Sequence, residues 1–194
     1  MFRSTFLAIV CLVLIASASA QIADGKELSV TVFNDAGVPS RVVDEAEKIT
    51  ARIYLDIGIR LIWKDRNAPI SGGKQLFIRI GPHALNLPGD DFGIAFVGTD
   101  GRGVQGDVFY SGIASLSRDS SLGPAEVMGH VMAHELGHLL LGLNSHSRLG
   151  IMQAHWSQAQ LRKMSMGFLR FEKNQAEAIT ARLLDRETML TKDN

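Results

Sequence analysis

A chain of 194 residues with 46% hydrophobic content can enclose one substantial core without further stapling. Its 20 Lys and Arg balance 20 Asp and Glu, and no basic block or stripe stands out, which argues against nucleic acid or an anionic membrane surface as a partner. The single cysteine, Cys11, lies in the N-terminal leader, so the chain beyond the leader excludes disulfides, cysteine-held zinc and a cysteine nucleophile together.

The leader itself is legible. Arg3 supplies a short positive region, Phe6 to Ile15 an apolar run, and Ala18-Ser19-Ala20 a small-residue cleavage pattern. Residues 1–20 therefore read as a signal peptide, leaving 21–194 as one secreted or periplasmic domain. No later stretch is apolar for long enough to span a bilayer, so no stable membrane insertion is expected after cleavage.

Next, Leu28 to Phe33 alternates with period two and is rich in β-branched residues, which predicts a strand. Pro39-Ser40 opens a helix to about Asp56, with Val42, Val43, Ala46, Ile49 and Ile53 on one face. Ile59 to Trp63 and Gln75 to Ile80 give two more strands, the second after the turn Ser71-Gly72-Gly73. The Gly- and Asp-rich stretch that follows holds two short strands, Gly93 to Val97 and Asp107 to Tyr110. Asp90, Asp91, Asp100 and Asp107 match no EF-hand spacing and read as solvated turn residues. Pro124 suits the first turn of a helix running to Leu141, and Gly142 lets the backbone leave it. A turn at Gly150-Ile151-Met152, a helix from the Ser157/Gln160 capping box toward Met166, and a helix from about Glu172 to Arg186 complete the chain.

The chemistry concentrates at His134-Glu135-Leu136-Gly137-His138. Residues four apart share a helix face, so His134 and His138 can offer two imidazoles to one cation with Glu135 beside them. A catalytic zinc takes three protein ligands and keeps a position for water, so a third donor is required. His146 is the first choice, because the break at Gly142 allows the chain to swing back; His155, Glu172 and Glu177 are the competitors, and Asn144 would be a poor neutral donor. Glu135 fits a general base that takes a proton from an activated water and passes it to the leaving amine. His130, one turn before His134, reads as a partly buried helix residue or as a group supporting the metal site.

The stretch His134 to Met152 resembles the metzincin clan of zinc peptidases, whose signature is H-E-x-x-H-x-x-G-x-x-H followed by a methionine-containing turn. The resemblance implies Zn2+ held by His134, His138 and His146, Glu135 as base, a helix ended at Gly142, and Met152 as an apolar floor beneath the metal. It implies an α+β fold: a single metzincin-like domain with a mixed twisted sheet over the active-site helix, a Met-turn and C-terminal helices. In this chain the glycine falls one position later than in the signature and the third histidine two positions later. Some relatives place an oxyanion-stabilising tyrosine shortly after the methionine, where this chain offers His155 and Trp156. The expected activity is that of a monomeric zinc metalloendopeptidase acting on peptide or protein substrates. The alternatives are a zinc-binding protein of the same fold without activity, and a zinc amidase acting on non-protein amides. An edge position for Gly93 to Val97 would suit backbone pairing with an extended peptide; an interior position is the alternative.

Overall fold

The computed structural model describes the backbone of residues 26–69, 75–84, 92–143 and 146–190, and their side chains as far as residue 186. The leader 1–20, the turn at Ser71 to Gly73, and Asp90, Asp91 and Asn144 lie outside the described residues.

Five strands form one mixed sheet: β1 (Lys26–Asn34), β2 (Ile59–Lys64), β3 (Gln75–Gly81), β4 (Gly93–Ala95) and β5 (Gln105–Phe109). Their order is β2-β1-β3-β5-β4. The first four in that row run parallel, and β4 pairs antiparallel to β5 with Ile94 opposite Asp107. Gly93 to Ala95 is therefore an edge strand, so the edge reading holds and the strand is shorter than its sequence suggested. Alternation along β1 and β3 buries Leu28, Val30, Leu76, Ile78 and Ile80 on one face of the sheet.

Two helices dominate the core. Helix α1 (Ser40–Leu55) returns the chain from β1 to β2, and a later helix (Pro124–Leu141, α3) is buried continuously from Val127 to Leu140. A helix apolar on all sides needs cover on all sides. For α3 this comes from α1, from β4 and β5, from α4 (Gln158–Ser165) and from α5 (Lys173–Leu190). Helix α1 approaches α3 closely because Gly129 has no side chain: a Cβ there would lie 2.8 Å from Ile49 Cβ. Across this crossing Thr50 Oγ1 donates to Gly129 O at 2.9 Å and Tyr54 Oη to Ala133 O at 3.1 Å. The only polar side chains α1 buries fully thus find acceptors on α3.

Helix α3 starts with Pro124 in its first turn, and Glu126 reaches back to accept from Gly123 N at 2.7 Å. It ends at Gly142, whose φ of 67° is the left-handed conformation that glycine adopts without strain. Both ends agree with the sequence reading.

Two readings are corrected. Tyr110–Asp119 is a helix, α2, where the sequence pointed to a strand as far as Tyr110 and nothing beyond. Its three serines disfavour a helical reading, and of its residues Ile113 alone is fully buried. Ser120 Oγ donates to Leu116 O and Ser117 Oγ to Leu122 O, closing its end. Asp107 is no solvated turn residue. It is 2% exposed in β5, where it accepts from Arg79 Nε at 3.1 Å and Gln105 Nε2 at 3.0 Å. Burial of a carboxylate is tolerated there because charged and neutral donors both reach it.

Candidate metal centre

One turn of α3 and the segment after it bring His134, His138 and His146 together, with one ring nitrogen of each within 4.8 Å of the others. Among the described residues this is the only group of three or more His, Cys, Asp or Glu placed to hold a metal ion. Ring centroids lie 4.7 Å apart for His134 and His138, 5.3 Å for His134 and His146, and 4.9 Å for His138 and His146. The first two rings are buried and the third is exposed, so the group opens to solvent on the His146 side.

Hydrogen bonding fixes which nitrogens face the centre. His134 Nδ1 lies 2.8 Å from Ile151 O, and His138 Nδ1 lies 2.9 Å from Leu143 O. A carbonyl only accepts, so each Nδ1 carries the proton and each Nε2 keeps its lone pair. Those two Nε2 atoms stand 3.0 Å apart. Two unprotonated nitrogens cannot bond one another, whereas a cation between them satisfies both. Burial first, then the positive charge His138 would carry, pushes His134 down to about 3; burial likewise lowers His138. Both rings are thus kept neutral, the form in which imidazole binds a metal. The donor set fits a borderline-soft divalent ion.

The turn at Gly150 to Met152 forms the underside. Met152 is buried, and its sulfur occupies the space that a side chain at Gly137 would fill, 2.6 Å from the position of a Cβ there. Ile151 N donates to Arg170 O at 2.8 Å, which ties the turn to the segment before α5. Ile151 O accepts twice, from His134 Nδ1 and from Trp156 Nε1 at 3.1 Å.

Glu135 is 4% exposed and points toward the sheet edge, where Gly93 of β4 and Gly106 of β5 leave room for it. A cavity of about 270 Å³ adjoins these groups, lined by the polar side chains of His134, Glu135, His146 and Gln153 and by the apolar ones of Phe92, Val131 and Trp156. His155 also lines it, exposed and outside the three-histidine group. Glu172 packs beside Gly150, and Glu177 pairs with Lys173 at 3.9 Å on the surface; neither joins the group. His130 lies elsewhere. Its Nδ1 bonds Glu126 O at 2.8 Å, its buried Nε2 has no partner among the described residues, and it lines a separate cavity with Met164 and Arg170. The sequence reading names Trp156 only as a candidate near the oxyanion after Met152, and it gives no sign of Gly93 or Gly106 as supports of the site. Gly and Trp are common core residues, and only the fold shows what they touch.

No protein-family model matches the chain, and no curated protein matches it in sequence. Solved structures do match. The archaemetzincin of Methanopyrus kandleri superposes with a TM-score of 0.55 at 18% identity, covering 82% of this chain and 97% of that one. A zinc-dependent peptidase from Methanocorpusculum labreanum gives 0.54 at 12% identity, covering 77% and 99%. The fold is therefore that of a metzincin-like zinc peptidase. The likeness extends over nearly the full length of both neighbours.

Proposed function

We propose that the protein is a zinc-dependent endopeptidase whose general base is Glu135 and whose metal ligands are His134, His138 and His146. The observation that carries this reading is the pair of Nε2 lone pairs facing one another at 3.0 Å, each fixed by a carbonyl behind its ring, with a third imidazole and a buried carboxylate adjoining. Zinc is favoured because three neutral imidazoles with an open fourth position suit it, and one fold neighbour is itself described as zinc-dependent. When bound, the ion supplies Lewis-acid polarisation of the substrate carbonyl and makes a nearby water more acidic.

The chain's own groups account for the proton. As water oxygen adds to the carbonyl carbon, Glu135 takes its proton; as the carbon–nitrogen bond breaks, Glu135 returns that proton to the departing amine nitrogen. The 270 Å³ cavity beside Glu135 supplies room for substrate, and the open edge of β4 lies next to it. Backbone pairing along that edge would hold an extended peptide with little dependence on its sequence. The leader at 1–20 supports export, and we propose that the mature chain is secreted or periplasmic and a monomer. Among the described residues no helix is long and apolar enough to cross a membrane.

Zinc-loaded protein comprising residues 21–194 should cleave casein or a peptide library, and Glu135→Gln should lose that cleavage by at least about a thousandfold while keeping one zinc per chain. Full activity in Glu135→Gln would sink the mechanism. A parent that binds zinc and cleaves no peptide would leave a zinc-binding protein instead.

A further inference from the structure

Helices α1 and α3 run side by side in the same direction: Thr50 bonds Gly129 O, and four residues further along both helices Tyr54 bonds Ala133 O. Successive turns of the two are therefore in step. Between this pair and α4, with the segment that follows α4, lies a cavity of about 450 Å³, larger than the one at the metal centre.

Its charges are sorted along the helices. Glu45 in the first half of α1 and Glu126 in the first turn of α3 stand at one end. Arg52, in the last turn of α1, and Arg170, which bonds the Asp56 carboxylate just past α1, stand at the other. Glu45 Oε2 meets Lys48 at 3.1 Å and Glu126 Oε2 accepts from Gly123 N at 2.7 Å; the second oxygen of each carboxylate accepts nothing from the described residues. The guanidinium of Arg52 has no partner among them either.

His130 lies between the two ends, one turn after Glu126. Its Nδ1 bonds Glu126 O at 2.8 Å, so Nδ1 carries the proton and Nε2, on the other side of the ring, keeps a lone pair. The ring forms part of the cavity wall, and this nitrogen is buried with no partner among the described residues. A buried acceptor left unpaired costs free energy that an N–H from an occupant would recover.

The span sets the size of that occupant. Arg52 follows Glu45 by two helical turns, about 10 Å along the axis. An extended chain advances about 3.3–3.6 Å per residue, so three residues reach from one end to the other. Ile49, Ile53 and Met164 line the stretch between and suit small or apolar side chains.

We propose that this cavity binds a free tripeptide of small or apolar residues, its ammonium at Glu45 and Glu126, its carboxylate at Arg52 and Arg170, and one peptide N–H on His130 Nε2. A free amino acid is too short to reach both ends. None of these residues joins the three-histidine group, so the site stands apart from the metal and from the peptidase reading.

Trialanine is the probe, titrated by calorimetry into the mature, zinc-loaded protein carrying Glu135→Gln to hold back cleavage. It should bind with a Kd on the order of 0.1–1 mM, as expected of a ligand its size, and equally well after zinc is chelated. Loss of one terminal charge, in N-acetyl-trialanine or trialanine amide, should weaken binding at least about tenfold, and free alanine should not bind. Arg52→Gln should weaken trialanine by about tenfold and no longer distinguish it from its amide; Glu45→Gln should do the same toward the acetyl form. Both side chains are exposed on α1, so folding is kept. In a protein with neither substitution, the His130 Nε2 resonance should shift on saturation with trialanine. Equal affinity for free and capped trialanine, parent affinity in both Arg52→Gln and Glu45→Gln, or an Nε2 resonance that ignores the peptide would each overturn the site. Binding that vanishes on chelation would place the peptide at the metal centre instead, and no saturable binding would dismiss the cavity altogether.

Discussion

A Cβ added to Gly93 would lie 2.6 Å from Glu135 Oε1 and 2.7 Å from Asp107 O. The edge strand can pass over the carboxylate only because this position has no side chain. Alanine there forces either the strand or the carboxylate to move, and among the described residues β4 is paired along one side alone, with β5. Displacement of a catalytic group by about 1 Å can cost on the order of a hundredfold in rate. Gly93→Ala should therefore lower kcat/KM by about 10- to 100-fold with zinc stoichiometry unchanged, because the three histidines lie on other elements. Steady-state kinetics beside metal analysis checks this; loss of zinc together with activity would mean that the strand supports the metal group as well.

The third imidazole decides whether the site is complete. His146→Ala leaves two helical donors, and tight zinc binding needs at least one more protein ligand. Zinc affinity should fall by at least about a hundredfold. His155→Ala, Glu172→Ala and Glu177→Ala should each retain parent affinity, since none of these residues joins the cluster. Competition with a chromophoric chelator measures all four. Near-parent affinity in His146→Ala would move the third ligand to another residue.

Much of this site is local in sequence, and that is why it can be read there. His134, Glu135 and His138 lie within one helical turn or so, Gly142 ends the helix with a conformation few other residues adopt, and Met152 sits in a turn announced by Gly150. The strands β1 to β3 were equally legible, because their apolar and β-branched residues recur at every second position over at least part of each strand. What was hidden depends on long-range contacts. Gly93 and Gly106 meet Glu135 across the sheet, and Gly129 meets Ile49 across a helix crossing. Asp107 was misread because an aspartate in a glycine-rich stretch resembles a turn, and its partner Arg79 is 28 residues away. Helix α2 is short and directly continues the strand ending at Phe109, so the strand-like run Asp107 to Tyr110 masks its start.

His130 gives the fold a dependence on pH separate from catalysis. Burial, opposed by its bond to Glu126 O and aided by Arg170, pushes its pKa down to about 4 from an ordinary 6.5. The unfolded chain thus gains a proton near pH 6.5 that the folded chain accepts only near pH 4, so stability falls as pH drops through that window. The charges facing this pocket are Glu126 on the same helix, Glu45 and Arg52 on α1, and Arg170 before α5. The shift corresponds to roughly 3 kcal/mol at full burial. In His130→Gln the loss of Tm between pH 7 and pH 4 should be smaller than in the parent, measured without metal so that His134 and His138 contribute equally to both. Identical pH profiles would show that the ring is solvated after all.

Two glycines of α3 test how tightly the metal site is packed against its floor. In an exposed helix, replacing glycine with alanine stabilises by about 1 kcal/mol. At Gly137 the new methyl would meet Met152 Sδ at 2.6 Å and Phe171 Cε1 at 3.0 Å; at Gly129 it would meet Ile49 Cβ at 2.8 Å and Ala46 O at 2.9 Å. Overpacking a filled core costs about 1–3 kcal/mol, which at both sites exceeds the gain in helix propensity. Gly137→Ala and Gly129→Ala should both lower Tm, by about 2–4 °C for each net kcal/mol in a domain of this size. They should part in metal binding. Met152 follows Ile151, whose carbonyl holds His134, so pushing Met152 away tilts that carbonyl and should weaken zinc binding by about tenfold. Gly129 faces α1 and should leave zinc affinity near that of the parent. Equal zinc affinities in the two variants would mean that Met152 fills space under the histidines without holding them in place.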